Sequence, residues 1–485
     1  MTAEPVRGGG ESGRELVREV LIHGPVARAE LGRRLRLSPA SLTRLSKPLL
    51  DSGLFVEGAV EAAGAVGRPV RPLDVRVDGH RFVGIKLTGD QAFGVLTDLR
   101  ARTLASVDVD LDGRSPEEVV ETLVGLVAVL FASGAGAGAW ADVGAGASGG
   151  GDGVRVAADP SRAGSGVEGG AGAVGGAGVG GGVRAAADPS RAGSGVEASA
   201  GAVGGEGVGG GVRAAVDPSR TGSGVEACAG AVGGAGAVGL AGVGVTVGGT
   251  VSGQRVVRRA PFLDWREVDL GGMLTERLGL PVVVENDVVA LTEAEHWFGL
   301  GRGVDDLAVL TIGAGVGYGL VVHGRQVITP DTGLGLGGHV PLDPSGPICP
   351  EGHRGCSTAM LSTPSLCAVA AAELGRPVPY EELLALAVSG DPIASGVVGT
   401  AGRSLGRLVA AVANLGMVGT VVLSGEGVGL VDVPVAAEEL RAGLAADRDP
   451  EATEVRVLTG DADFAAWARG AAAVAVQGWI ASLGA

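Results

Sequence analysis

The most informative part of the chain begins with PVVVENDVVALTEAEHWFG, residues 281–299. An apolar run there ends in Asn286 and Asp287, and apolar residues at helical spacing follow it. A second apolar run lies in LAVLTIGAGVGYGLVVHG, residues 307–324, and leads into a glycine-rich turn. Strands that end in a carboxylate and in a loop of free backbone amides are typical of sites for sugars and phosphates.

Further along the chain, two histidines and two cysteines lie in GLGLGGHVPLDPSGPICPEGHRGC, residues 333–356. Imidazole nitrogen and thiolate sulfur are ligands that Zn²⁺ prefers in proteins. His339, Cys349 and Cys356 therefore form a candidate set of metal ligands.

In this order and spacing, the three segments resemble the ROK family (repressors, open reading frames, sugar kinases). The strongest matches are E-N-D-x-x-A-L-x-E at 285–293 and the G-H…C…G-C pattern at 338–356. The resemblance covers residues 80–485 apart from one insertion. It implies an α/β fold with a two-lobed, actin-like (ribonuclease-H-like) domain.

The resemblance also implies a set of site residues. In the family's kinases, the residue matching Asp287 is the general base, and the one matching Asn286 holds a sugar hydroxyl. The implied ligand-binding residues are Asn286, Asp287 and His339, and the implied phosphate loop contains Gly313, Gly315 and Gly317. Two alternatives stay open: Asn286 and Asp287 at a strand-to-helix junction can be helix caps, and the glycines can form an ordinary hairpin turn.

The family's zinc segment has the pattern G-H-x9-C-x-C-x4-C. Here Glu351 stands at the position of the middle cysteine. Zinc accepts carboxylate oxygen, so the resemblance implies Zn²⁺ held by His339, Cys349, Glu351 and Cys356, with His353 as a rival fourth ligand. The alternative is a loop that has lost its metal and keeps two reduced cysteines.

Several family residues needed for catalysis are replaced. Residues 86–90, KLTGD, stand where the family has the D-x-G-G-T turn for Mg²⁺ and phosphate. An ammonium group cannot ligate Mg²⁺, and a carboxylate repels phosphate. A shifted alignment is the alternative, but no D-x-G-G-T lies nearby. Leu336 and Thr358 replace two sugar-binding glutamates, and residues 424–426, SGE, replace a nucleotide-contacting G-G. We therefore predict that the chain is not an enzyme and that Asp287 is vestigial.

The N-terminal part predicts a winged helix-turn-helix. Helical spacing occurs at 13–23, 27–35 and 40–52, and two strands, 54–56 and 70–75, flank a wing at 63–69. Residues 1–78 carry a net charge of +2, whereas the rest of the chain carries −18. We predict DNA contacts from Ser38, Pro39, Ser41, Thr43, Arg44, Lys47 and Arg68. A three-helix protein-interaction domain is the alternative.

The remaining features set the domain limits. Residues 133–237 are rich in glycine and alanine, and Arg155, Arg184 and Arg213 mark a 29-residue repeat. With few large apolar residues to stack, the repeat favours a flexible insertion over a solenoid. We predict a disordered tail at 1–12, a DNA-binding domain at 13–78, a ROK domain at 79–132 and 238–485, and a low-complexity insertion at 133–237.

Together these patterns predict a transcription regulator, with repression as the expected outcome, of carbohydrate-related genes. Its expected partners are a double-stranded DNA operator and a sugar or sugar-phosphate effector, and it is expected to form a homo-oligomer (dimer or tetramer). Two rivals are an ATP-dependent sugar kinase with a DNA-binding appendage and a constitutive regulator. With no signal peptide, no apolar span and four cysteines, a cytoplasmic location without membrane association is expected.

Overall fold

The computed structural model of the chain describes residues 10–58, 71–135, 154–158, 212–214 and 239–483. Arg68 and the rest of the predicted wing tip lie outside the described residues, as do most of the tail and most of the insertion. Among the described residues, no single helix is long and apolar enough to cross a membrane, and only a bent helix pair, Tyr380–Val388 with Pro392–Gly416, reaches that length and composition.

The N-terminal head contains the three predicted helices and two strands. They are α1 (Gly10–His23), α2 (Arg28–Arg34), α3 (Pro39–Asp51), β1 (Phe55–Glu57) and β2 (Leu73–Val75). The strands pair antiparallel. The predicted cap of α3 is confirmed: Ser38 Oγ accepts a hydrogen bond from the Ser41 amide at 3.1 Å, and Pro39 occupies the first turn. The start of α1 lies three residues before the predicted one.

The first lobe is built on a mixed sheet. Its strands, with those of a small side sheet, are β3 (Arg81–Leu87), β4 (Gln91–Thr97), β5 (Thr103–Asp110), β6 (Val154–Ala158), β7 (Val212–Ala214), β8 (Leu240–Val247), β9 (Thr250–Ser252), β10 (Val256–Ala260), β11 (Trp265–Val268) and β12 (Val282–Asn286). In the described ranges, the main sheet has the order β12-β8-β3-β4-β5-β6-β7, and β11-β10-β9 form the side sheet. The pairs β12/β8 and β8/β3 are parallel.

The second lobe has its own sheet. Its strands are β13 (Leu307–Ile312), β14 (Val316–Val322), β15 (Arg325–Gln326), β16 (Thr420–Ser424) and β17 (Arg456–Thr459). Over the part of the chain that the structure describes, their order is β15-β14-β13-β16-β17. Every residue of β13 is buried, as expected for a central strand with both faces covered.

Helices cover both sheets. They are α4 (Pro116–Ala135), α5 (Leu270–Leu278), α6 (Asp287–Trp297), α7 (Ser357–Leu361), α8 (Thr363–Leu374), α9 (Tyr380–Val388), α10 (Pro392–Gly416), α11 (Pro434–Ala446) and α12 (Phe464–Ser482). Helix α12 lies directly on β3 and β8. A Cβ atom added at Gly244 would lie 1.8 Å from the Ala471 carbonyl oxygen, and one added at Gly84 would lie 2.0 Å from the Ala468 carbonyl oxygen. Glycine at both positions therefore sets the distance between helix and sheet.

The insertion contributes more regular structure than the sequence predicts. Strand β6, from the first repeat, pairs antiparallel with β5, and β7, from the third repeat, pairs with β6. The prediction of a flexible insertion did not include these two strands. The alternating V-R-V pattern at 154–156 is compatible with a strand, and its neighbour β5 offers an open sheet edge.

Candidate functional site

A cleft of about 920 Å³ separates the two lobes. It is lined by the β3–β4 turn, the start of α6, the β13–β14 turn and the turn after β16. Because β3, β8 and β12 are parallel, and β13 is parallel to β16, the carboxyl ends of these strands meet there. The predicted carboxylate and glycine loop therefore face one space.

Asn286 caps α6 with its side-chain oxygen. Its side-chain oxygen accepts from the Val289 amide at 3.1 Å, and its side-chain nitrogen donates to the Gly249 carbonyl oxygen at 2.8 Å. The side chain is buried, at 5% exposure. The capping alternative is thus realised at Asn286, which also lines the cleft.

Asp287 forms an ion pair with Lys86 across the cleft floor. The two side chains are 13% and 8% exposed, so both charges are largely removed from water. Lys86 Nζ also lies 5.1 Å from the centre of the Trp467 ring, within range of a cation–π contact. The other carboxylate oxygen of Asp287 accepts from the Val288 amide at 2.9 Å. Lys86 and the Val288 amide thus each occupy an acceptor position on a different oxygen of the Asp287 carboxylate.

The glycine turn between β13 and β14 also has an internal partner. The Gly313 amide donates to the Gly315 carbonyl oxygen at 3.0 Å, and the Ala314 amide donates to a carboxylate oxygen of Glu426 at 2.7 Å. Gly317 lies in β14, where an added Cβ would meet Thr311 Oγ1 and a Val288 methyl group, both at 2.8 Å. One amide of the predicted phosphate loop is therefore occupied by a side chain of the protein.

Glu426 was not predicted as a site residue. It follows β16, and its backbone is fixed by a hydrogen bond from the Gly427 amide to the Ile312 carbonyl oxygen (2.8 Å) and one from the Tyr380 hydroxyl to the Gly427 carbonyl oxygen (2.6 Å). Gly425 has φ of +95°, a conformation that favours glycine and turns the chain toward β13. The sequence does contain a signal that could have identified Glu426. It is an acidic residue two positions after β16, the strand that pairs in parallel with β13, and the glycine turn follows β13.

The predicted metal ligands lie beside the cleft. Cys349 Sγ is 3.9 Å from His339 Nδ1 and 3.6 Å from His353 Nδ1, and Cys356 Sγ is 3.7 Å from His339 Nδ1. Tetrahedral Zn²⁺, with bonds of about 2.3 Å to sulfur and about 2.0 Å to nitrogen, sets sulfur–nitrogen separations near 3.5 Å. The donor set and its spacing therefore fit zinc.

The structure favours His353 over Glu351 as the fourth ligand. Ligand atoms of His339, Cys349 and His353 all lie within 4.8 Å of one another, and that group of described residues includes neither Glu351 nor Cys356. Cys356 still lies close to the group, because its Sγ is 3.7 Å from His339 Nδ1. Glu351 and His353 are both exposed, and a hydrogen bond with Cys349 lowers the pKa of the Glu351 carboxyl group. Burial raises the pKa of the Cys356 thiol. His339 lies with the cysteines and is not among the residues that line the cleft.

The predicted DNA-contacting residues other than Arg68, which is outside the described residues, lie at and along one helix. Thr43, Arg44 and Lys47 are exposed on α3, while Leu42 and Leu49 face the core of the head. The Thr43 hydroxyl donates to the Pro39 carbonyl oxygen at 2.9 Å. Ser38 and Ser41 serve the cap of the same helix. The exposed face of α3 therefore combines short polar side chains with two cations, as a recognition helix does.

Two arginines join the head to the lobes. Arg100 Nε donates to the Leu21 carbonyl oxygen at 3.0 Å, and the same guanidinium pairs with Asp74 at 2.6 Å. Arg302 donates to the carbonyl oxygens of Ile22 and Gly24. Both guanidinium groups thus bind carbonyls at the C-terminal end of α1, where the helix dipole favours a cation.

Helix α6 connects the cleft with this junction. It begins at Asp287 in the cleft and ends at Trp297, which is buried in the same apolar cluster as Leu16 and Val17 of α1. The Arg18 guanidinium lies 5.3 Å from the centre of the Trp297 ring, and its Nη2 donates to the Gly324 carbonyl oxygen at 2.6 Å. One continuous helix therefore contacts both the candidate ligand site and the head.

These features define a class of protein: a helix-turn-helix head carried on a two-lobed, actin-like α/β domain. The chain belongs to the ROK family, whose family model matches residues 225–477. A solved structure of a ROK family transcriptional regulator, described as a homologue of the Escherichia coli Mlc protein, superposes with a TM-score of 0.64 at 20% identity over 98% of this chain and 96% of that one.

Two curated relatives belong to different functional types. The chain is 41% identical over 127 residues to a glucokinase of Thermotoga maritima. The matched segment is 26% of this chain and 40% of that enzyme. It is 21% identical over 403 residues to the DNA-binding transcriptional repressor Mlc of Escherichia coli K12. The matched segment is 81% of this chain and 75% of Mlc. The similarity to the kinase is thus local, whereas the similarity to the repressor extends over most of the chain.

Proposed function

We propose that the chain is a DNA-binding transcription regulator, acting as a repressor, whose ROK lobes bind a carbohydrate without phosphorylating it. The observation that carries this proposal is the buried ion pair of Lys86 and Asp287. It places an ammonium group against the carboxylate that would act as base, at a position where a metal ligand would be needed. The extended similarity to Mlc supports the same conclusion.

The head supplies the DNA contacts in this proposal. Arg44 and Lys47 on α3 face base edges and phosphates in the major groove, with Ser41 and Thr43 beside them, and Arg68 belongs to the wing. One recognition helix covers only half of a palindromic operator, so the functional unit is a dimer or tetramer. The head comprises residues 13–78, and the effector domain comprises 79–132 and 238–485.

The effector acts through α6. A sugar that binds beside Asn286 and Asp287 and prefers one arrangement of the lobes shifts the equilibrium toward that arrangement. Trp297 and Arg302 transmit the change to the C-terminal end of α1, because both contact the head directly. The spacing of recognition helices in the oligomer then changes, and the operator is released.

Zinc in this proposal has a structural function. His339, Cys349, His353 and Cys356 would hold it, and a closed set of four protein ligands leaves no position for substrate. Bound zinc would fix the loop 339–356 against α7, whose first residue follows Cys356. The loop 333–337 immediately before His339 lines the cleft, so the metal stabilises one wall of the ligand site.

The proposal is tested with purified full-length protein and an operator found by binding-site selection. We expect Arg44→Ala and Lys47→Ala to weaken operator binding about tenfold or more in fluorescence anisotropy. Arg441→Ala, at an exposed position on α11, is the matched control and should bind as the unmodified protein does. Failure of the full-length protein to bind duplex DNA selectively would refute the proposal.

A sugar kinase is the second candidate, because the glucokinase relative is 41% identical over the matched segment. ATP consumption with a panel of hexoses separates the two functions. We expect no turnover above background. Turnover that disappears in Asp287→Asn would establish the kinase instead.

A further inference from the structure

The charges that line the cleft disfavour an anionic ligand. The lining residues include four carboxylates, at Asp90, Asp287, Asp331 and Glu426, but only two cations, Lys86 and Arg114, among the described residues. Lys86 is already paired with Asp287. The remaining cation, Arg114, is exposed at the cleft edge. A phosphate group would therefore enter a site with excess negative charge.

Glu426 further disfavours an anionic ligand at the glycine turn between β13 and β14. Its carboxylate accepts the Ala314 amide at 2.7 Å, and an added Cβ at Gly313 would lie 2.0 Å from the same carboxylate oxygen. Backbone amides of such a turn are what an incoming phosphate oxygen would otherwise bind. The fixed turn around Gly425 and Gly427 keeps the carboxylate at this position.

The mouth of the cleft is apolar. Phe262 is 58% exposed, Tyr318 46%, Leu334 49% and Leu336 63%, and all four line the cleft. Large apolar side chains that remain in water around one cavity indicate a surface that is covered when a ligand binds. The C–H face of a free hexose can cover one aromatic ring, which leaves the other apolar side chains of the mouth exposed.

We propose that the cleft takes an uncharged glycoside with an apolar aglycone and excludes phosphorylated sugars, Glu426 being the residue that selects against them. The sugar ring lies beside Lys86, Asn286 and Asp287, with Phe262 next to Asp287, and the aglycone lies against Tyr318 and Leu334. This inference deepens the proposed function, since it names the class of effector that the same cleft recognises.

The test is isothermal titration calorimetry of full-length protein with phenyl β-glucoside, phenyl β-xyloside, the free sugars, glucose 6-phosphate and glucosamine. We expect one phenyl glycoside to bind about tenfold or more tightly than its free sugar, because the ring buries apolar surface, and glucose 6-phosphate not to bind. Tighter binding of glucose 6-phosphate or of cationic glucosamine, or no binding by any ligand, overturns the inference.

Variants separate the two ends of the cleft. Leu334→Ser should reduce phenyl glycoside affinity about fivefold or more while leaving free-sugar affinity unchanged, and Leu415→Ser, exposed outside the cleft, should change neither. Glu426→Gln, which keeps the size of the side chain, should allow glucose 6-phosphate to bind, and unchanged exclusion overturns the assignment of Glu426. Operator binding is measured on the same samples: its loss refutes the proposed function, whereas intact operator binding without the ligand preference refutes only this inference.

Discussion

Replacing Lys86 by methionine tests the ion pair in the cleft floor. The substitution removes the ammonium group and keeps a side chain of similar length. Asp287, whose side chain is 13% exposed, would remain as a buried charge without its cation. Removing one partner of a buried pair costs about 3–5 kcal/mol in the free energy of unfolding. Asp287 keeps hydrogen bonds from the Val288 amide at 2.9 Å and from Asn286 Nδ2 at 3.3 Å, so we expect the lower end of that range, about 3 kcal/mol.

Urea unfolding followed by tryptophan fluorescence measures this change, with Trp467 5.1 Å from Lys86 Nζ. The double variant Lys86→Met/Asp287→Asn should lose less free energy than Lys86→Met alone, because it leaves no unpaired charge. Arg376→Met is the control, since its pair with Glu382 is 49% and 41% exposed and should contribute about 0–1 kcal/mol.

Two results would refute this reasoning. One is a loss for Lys86→Met no larger than that for Arg376→Met. The other is strict additivity of the Lys86 and Asp287 substitutions, which would mean that the two charges do not interact.

Three further predictions concern other parts of the molecule. His353→Ala should lower zinc affinity at least about tenfold in a competition assay with a chromogenic chelator, whereas Glu351→Ala should not, and the reverse order would show that the carboxylate is the fourth ligand. Burial, followed by two neighbouring guanidinium groups, lowers the pKa of His23 to about 4 from 6.5. As the pH falls below 6.5 the unfolded chain takes up this proton first, so the stability that neutral His23 contributes is lost between pH 6.5 and 4; His23→Gln should flatten that part of a plot of Tm against pH. Gly244→Ala places a Cβ 1.8 Å from a carbonyl oxygen of α12 and should cost about 1–3 kcal/mol in urea unfolding, and an unchanged midpoint would contradict the close packing.

The local features of the fold could be predicted from the sequence. Ser38 and Pro39 mark the start of α3 because an N-cap hydroxyl and a proline in the first turn act within a few residues. The apolar run before Asn286 likewise predicts β12 and the start of α6, and both predictions are confirmed. Each of these depends only on neighbours in the chain.

The internal partners in the cleft could not be predicted in the same way. Lys86 and Asp287 are 201 residues apart, and Ala314 and Glu426 are 112 apart. Their meeting depends on the order of strands in two sheets, which the spacing of residues does not specify. The resemblance placed Lys86 where a metal ligand was expected, but only the structure shows which carboxylate it neutralises. The choice between Glu351 and His353 also depended on the loop geometry between Cys349 and Cys356.

The shared helix α6 has an evolutionary consequence. One end of this helix lies at the cleft and the other end packs against the head. Because most of its residues are buried in close-packed surroundings, a displacement at Asp287 is transmitted to Trp297 nearly undiminished. Under the proposed function, substitutions that adapt the pocket to a new inducer will therefore also alter operator occupancy when no inducer is present. In a lineage of such proteins that comes to respond to a different sugar, inducer specificity and basal expression should therefore change together. Compensating substitutions should accumulate where Arg302 contacts the C-terminal end of α1.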